Sequence, residues 1–150
     1  MEVDARKLFE TIYEAESDPI FRFCLIRVSD RDQALEITQE TFLRLWQSLL
    51  KKEVIQNTRA FLFTVAHRLI IDWYRKKKAL SLDKINEASE EGYDVVDEKT
   101  IENIPFNAEG RYLLEKINEL PASYRHPVYL RYVEGLSPGE IGEVLGISHN

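Results

Sequence analysis

Hydrophobic residues return every three or four positions through most of this chain, the period of a helix buried on one side. The first stripe is Leu8, Phe9, Ile12 and Tyr13, in a helix expected over 4–16. Asp18 then stands as an N-cap with Pro19 at the first helical position, so a new helix is expected from there to about Val28. Ser29 and Asp30 interrupt the pattern and cap a helix over 31–50, whose apolar stripe is Leu35, Phe42, Leu45, Trp46 and Leu49. Residues 51–58 read as a loop. The longest periodic run follows, Arg59 to Lys78, a helix of about five turns. Phe61, Leu62, Val65, Ala66, Leu69 and Trp73 form its expected buried face, with Thr64, His67, Arg68, Arg75 and Lys78 on another side. Four helices with short connections predict a compact helical domain over 1–79.

The period fails between 80 and 106, where acids are frequent and apolar residues scattered, as in a flexible acidic linker. It resumes near Asn107. Tyr112, Leu113, Leu114 and Ile117 mark one helix that ends at Leu120 and Pro121. The next is expected over 121–134, with a late start or a kink at Pro127, which lacks a backbone donor, and a stop at Gly135. Ser137, Pro138 and Glu140 have the spacing of a capping box for a short helix carrying Ile141, Val144 and Leu145 and ending at Gly146.

At 150 residues and 44% hydrophobic, the chain has enough material for a core. No apolar run approaches the ~18 residues of a membrane span, and the acidic, amphipathic start is unlike a signal peptide. The single cysteine, Cys24, cannot form an internal disulfide and lies among Phe21, Phe23 and Leu25, as a buried small hydrophobe would. A reducing, cytoplasmic setting follows.

The net charge of -6 conceals a strong alternation. Residues 1–50 carry -4, 51–79 carry +6, 80–106 carry -6 and 107–150 carry -2. The local patch, not the total, governs nucleic-acid binding. The basic segment ends in Arg75, Lys76, Lys77 and Lys78. Cations of this kind neutralise phosphates, and aromatic rings stack on unpaired bases. The plainer reading is a solvated face whose terminal cations favour the helix dipole. The adjoining loop adds Gln56 and Asn57, whose amides suit a base edge, while Arg59, Arg68, Arg75 and Lys76 to Lys78 suit phosphate. Phe61 and Trp73 are read as core. The acidic linker is read as a tether, or more pointedly as a shield over the basic helix.

The stretch SPGEIGEVLGIS has the order of a helix-turn-helix: a capped short helix, the small Gly142 at a close crossing, a Gly turn, an apolar plug at Ile147 and Ser148 capping a second helix. An ordinary helix hairpin is the alternative. Only His149 and Asn150 follow Ser148, so the recognition helix is expected to be missing and this chain to bind no duplex sequence-specifically by itself.

Three runs together resemble a family. QETFLRLW at 39–46, NTRAFLFTVAHRLIIDWYRKKK at 57–78 and LPASYRHPVYLRYVEGLSPGEIGEVLGIS at 120–148 resemble bacterial RNA polymerase sigma factors of the sigma-70 family, in the small extracytoplasmic-function class. Gln33 and Leu35 stand where that family often has carboxylates, and Gly142 replaces its usual Ala. The resemblance implies an all-α protein of two small domains, region 2 over 1–79 and an incomplete region 4 over 107–150, joined by the linker. It implies docking on the core polymerase clamp through Gln39, Glu40, Phe42, Leu43 and Trp46. It also implies opening of the -10 promoter element by the next loop and helix. That DNA set is Lys51, Lys52, Gln56, Asn57, Arg59, His67, Arg68, Arg75, Lys76, Lys77 and Lys78. Region 4 would hold the polymerase flap and read the -35 element, starting from Ser148, His149 and Asn150. An anti-sigma factor is an expected partner. No cofactor, metal or small-molecule substrate is implied: His67, His126 and His149 are dispersed, and no carboxylate pairs with a nucleophile in a recognisable motif. The implied role is that of a binding protein rather than an enzyme. Two other readings remain, a standalone helix-turn-helix regulator and a helical hydrolase built on a convergent carboxylate pair.

Overall fold

Helix α1 runs unbroken from Glu2 to Val28, straight through Pro19, in a computed structural model that describes residues 2–80 and 108–147. The break expected at Asp18 does not occur. Proline there removes one backbone bond, to the carbonyl four residues earlier. The next turns bury Ile20, Phe23 and Cys24 completely, and that burial holds the helix on course. Left-handed Ser29 (φ 53°) ends α1, and Asp30 caps α2 (Arg31–Leu50) by accepting from the Gln33 N–H at 3.2 Å. Helix α3 spans Thr58–Leu80.

The C-terminal unit is α4 (Ala108–Asn118), α5 (Ala122–Tyr132) and α6 (Pro138–Leu145). Helix α5 starts directly after Pro121 and includes Pro127, so it does not start late. Burial of His126, Tyr129 and Leu130 offsets the one bond that Pro127 cannot make. Both bonds of the Ser137–Glu140 capping box form, and left-handed Gly146 (φ 69°) closes α6. The linker beyond Leu80 and the residues Ser148, His149 and Asn150 lie outside the described residues.

The two units share one core. Phe23 stacks on Tyr129 of α5, with centroids 6.2 Å apart, and meets Phe63 of α3 edge-on at 5.2 Å. Leu114, Leu130 and Leu136 join Ile20, Leu45, Leu62 and Ile70 in the same buried cluster. Helix α3 packs against α1, α2 and α6, so its buried arc is wider than one stripe. Phe63, Ile70 and Tyr74 are buried although the period placed them off the apolar face, while Phe61, Leu69 and Trp73 are only partly covered. In α2 the buried side includes Thr38 and Thr41, whose hydroxyls donate to the Ala34 and Ile37 carbonyls at 2.7 Å. Bonded within their own helix, these hydroxyls are not left unsatisfied when buried. Leu35, expected inside, faces out. Among the described residues, no helix is long and apolar enough to cross a membrane.

Candidate functional site

The loop between α2 and α3 is pinned at both ends. Lys51, Lys52 and Glu53 turn back on the α2 terminus, their N–H groups donating to the Gln47, Leu49 and Ser48 carbonyls at 3.1 Å. Ile55 packs against the core, while Lys51, Lys52, Val54, Gln56 and Asn57 stay exposed. Asn57 is also the N-cap of α3: its Oδ1 accepts from the Ala60 N–H at 3.0 Å. That use fixes which edge of the amide faces away from α3, leaving Nδ2 as the outward donor, which is bonded to Glu140.

Along α3 the cations divide. Arg68, Arg75, Lys76, Lys77 and Lys78 are exposed. Arg75 lies 3.9 Å from Asp72, and Lys77 sits over the Trp73 ring at 4.9 Å. Surface pairs of that length contribute little, so these charges can be given to a ligand. Arg59 differs. It stands 3.2 Å from Glu16 and 3.8 Å from Glu134, and over the Phe63 ring at 5.6 Å. His67 differs again. Its Nδ1 faces the Nη1 of buried Arg27 at 2.9 Å. Burial first, then Arg27 and Arg68, lower its pKa to about 3, so at neutral pH it is an uncharged acceptor and not a phosphate-binding cation. Cys24, fully buried, has its thiol pushed up to about 12 and is inert.

On α2, Gln39 and Leu43 are exposed and Glu40 is half-exposed, paired with Arg44 at 3.2 Å. Phe42 is 3% exposed and Trp46 is partly covered. Both meet the aromatic rings of α1: Phe42 against Tyr13 at 4.9 Å, and Trp46 against Phe9 at 5.5 Å. Phe42 therefore supports this helix from beneath rather than offering surface to a partner, a correction to the docking set read from the motif.

The N-terminal helices thus present an outward polar edge on α2, an amide-bearing loop and a cation row on α3. The C-terminal unit carries a capped helix and a left-handed glycine turn. A family model described as Sigma-70 region 2 matches residues 12–80, and one described as Sigma-70, region 4 matches residues 110–150. The chain belongs to the sigma-70 family, in its extracytoplasmic-function class. Its relatives include the ECF RNA polymerase sigma factor SigW of Bacillus subtilis, 28% identical over 145 residues that cover 93% of this chain and 78% of that protein. SigL of Mycobacterium tuberculosis is 28% identical over 145 residues, covering 94% and 78%. SigX of Bacillus subtilis is 22% identical over 144 residues, covering 95% and 74%. With both sigma regions present in order, this is a sigma factor and not a standalone regulator. Among the described residues no group of His, Cys, Asp and Glu gathers that could hold a metal ion.

The sigma factor also brings together residues that its sequence does not connect. Arg22 of α1 clasps Glu134 with both guanidinium edges, Nε to Oε2 at 2.9 Å and Nη2 to Oε1 at 2.6 Å. The Tyr129 hydroxyl donates to the same carboxylate. Burial and then Glu134 raise the Tyr129 pKa, keeping it a donor. For Arg22, burial works against the charge but the Glu134 bonds outweigh it, so its pKa rises. Asn57 Nδ2 donates to Glu140 Oε2 at 2.9 Å. The Ser137 N–H first, then Asn57, lower the Glu140 pKa. Arg22 and Glu134 are 112 positions apart, and no periodicity or motif could have paired them.

Proposed function

We propose that this sigma factor meets the core polymerase clamp through Gln39, Glu40 and Leu43, and holds the opened -10 strand along loop 51–57 and the outer side of α3. The observation that carries the first half is the split within one motif. Gln39, Glu40 and Leu43 point outward while Phe42 and Trp46 anchor the helix on α1. A helix fixed from beneath presents its outer edge without ordering cost. In the second half, Gln56 and Asn57 supply base-edge amides, with Lys51 and Lys52 beside them. Arg75 to Lys78 hold phosphate roughly 30 Å further along, at 1.5 Å per residue of helix. That spacing separates reading at one end from grip at the other. Arg68 lies between them, and His67 contributes no charge. The class implies an anti-sigma partner and a cytoplasmic setting. Region 4 would meet the flap and, through residues from Ser148 onward, the -35 element.

The test is a pull-down with core polymerase. Glu40→Arg with Leu43→Arg should weaken capture at least tenfold. Thermal stability should stay within about 0.5 kcal/mol, as for exposed substitutions away from caps and core. Undiminished capture would refute the docking assignment.

A further inference from the structure

His67 is the side chain of α3 whose chemistry the fold restricts most. Its Nδ1 lies 2.9 Å from Nη1 of Arg27 on α1. A guanidinium only donates, so Nδ1 accepts and the ring proton sits on Nε2. Arg27 is 1% exposed, and its guanidinium also lies over the Phe23 ring at 5.5 Å. The group that clamps the ring is therefore itself fixed in the core. Burial first, then Arg27 of α1 and Arg68 of the same helix, keep a second proton off the ring.

That leaves the Nε2–H. Among the described residues nothing accepts from it, and it is not among their buried unpartnered atoms, so it reaches solvent. It does so on the side of the cation row. Arg68 is its neighbour, and Lys78 stands eleven positions on, three turns along the same side; both are exposed. The amide suited to a base edge lies ten positions earlier, at Asn57. We propose that His67 is a neutral hydrogen-bond donor to a backbone phosphate oxygen of the -10 strand, and that buried Arg27 is the positioning residue that holds the ring for it.

This rests on the reading of loop 51–57 and α3 as the -10 interface, and it adds a contact of a different kind. Exposed Lys and Arg side chains are long and adapt to a phosphate over a range of positions. One N–H on a clamped ring is directional and sets the register of the strand. It releases no counterion, so it persists in salt that weakens the cation row.

Two readouts on the full chain test this. The first uses the unsubstituted protein with 15N-labelled histidine. The chain has three histidines, and the signal that His67→Gln removes is the one to follow. Nδ1 should appear unprotonated and Nε2 protonated at pH 7. A short abasic deoxyribose-phosphate strand, with phosphates and no bases, should shift the Nε2 signal at saturation. A proton on Nδ1, an unmoved Nε2, or a shift seen only with a base-bearing strand of the same length overturns the proposal.

The second is anisotropy with fluorescein-labelled single-stranded DNA of random sequence. His67→Phe should weaken binding about fivefold, as one lost hydrogen bond does. The slope of log affinity against log salt should not change. A slope lower by ~0.7 would reveal a cation at this position and refute the neutral donor. Arg27→Met should weaken binding about as much in the parent, and less than twofold in the His67→Phe chain, because its effect passes through the ring. Equal losses in both backgrounds would mean damaged packing and end the positioning role. Arg75→Glu with Lys77→Glu separates the remaining failures. If that pair weakens binding and His67→Phe does not, only the donor is refuted. If neither does, the reading of α3 falls too, and the donor with it.

Discussion

Acidification from about pH 8 to about pH 5 should destabilise this protein through one side chain. His67 Nδ1 faces a guanidinium nitrogen of Arg27 at 2.9 Å. Arginine only donates, so Nδ1 must be unprotonated and the neutral ring carries its proton on Nε2. Burial, then Arg27, then Arg68 lower the pKa from 6.5 to about 3. With the folded value below the unfolded one, the unfolded chain takes up a proton in this window and the folded chain does not. Stability is therefore full above the unfolded pKa of 6.5 and falls as the pH drops toward 3. Integrated to about pH 5, the difference is about 2 kcal/mol, trimmed to about 1–2 kcal/mol because the ring keeps some contact with water. The comparison is His67→Gln, whose amide oxygen accepts from Arg27 but cannot titrate. Urea unfolding of both proteins at both pH values gives a difference of differences in which every other titrating group cancels. The parent should lose about 1–2 kcal/mol more than the variant. Equal losses would show that His67 protonates freely in the folded state and that the Arg27 contact does not hold its tautomer.

Two further outcomes follow from the interface. Asn57→Ala removes the α3 N-cap as well as the outward amide, so it should cost about 1 kcal/mol in thermal unfolding. Asn57→Asp keeps the cap oxygen but turns the donor into an acceptor and adds a negative charge facing Glu140, so a shift in base preference beyond the uniform loss of affinity, in selection from random single strands, isolates the reading role. Arg75→Glu with Lys77→Glu should weaken binding to all sequences alike. It should also lower the slope of log affinity against log salt by about 1.4, for two single-strand phosphate contacts at ~0.7 each. An unchanged slope would place those cations away from the backbone.

Much of this protein is local, and local structure is written in the sequence. The capping box of Ser137 and Glu140, the glycine stop at Gly146 and the Asp30 cap each join groups within four residues of one another. Spacing alone therefore predicted them. Family membership was legible for the same reason, because three contiguous runs carry it. The errors arose where tertiary burial outweighed local preference. Pro19 and Pro127 signal a break or a late start, yet both helices continue because buried neighbours hold them. One-sided periodicity misjudged α3, whose Phe63, Ile70 and Tyr74 are buried because three other helices surround it. Thr38 and Thr41 look polar but bond within their own helix. The tertiary structure alone decided how the cations of the candidate site are used. Arg59, His67 and Arg75 look alike in a list of basic and polar residues. Packing gives the first to Glu16 and Glu134, pairs the second uncharged with Arg27 and leaves the third exposed. A charge is available to a ligand when its partner in the fold is exposed and weak, as Asp72 is for Arg75, and the buried Glu134 that meets Arg59 lies 75 positions away along the chain.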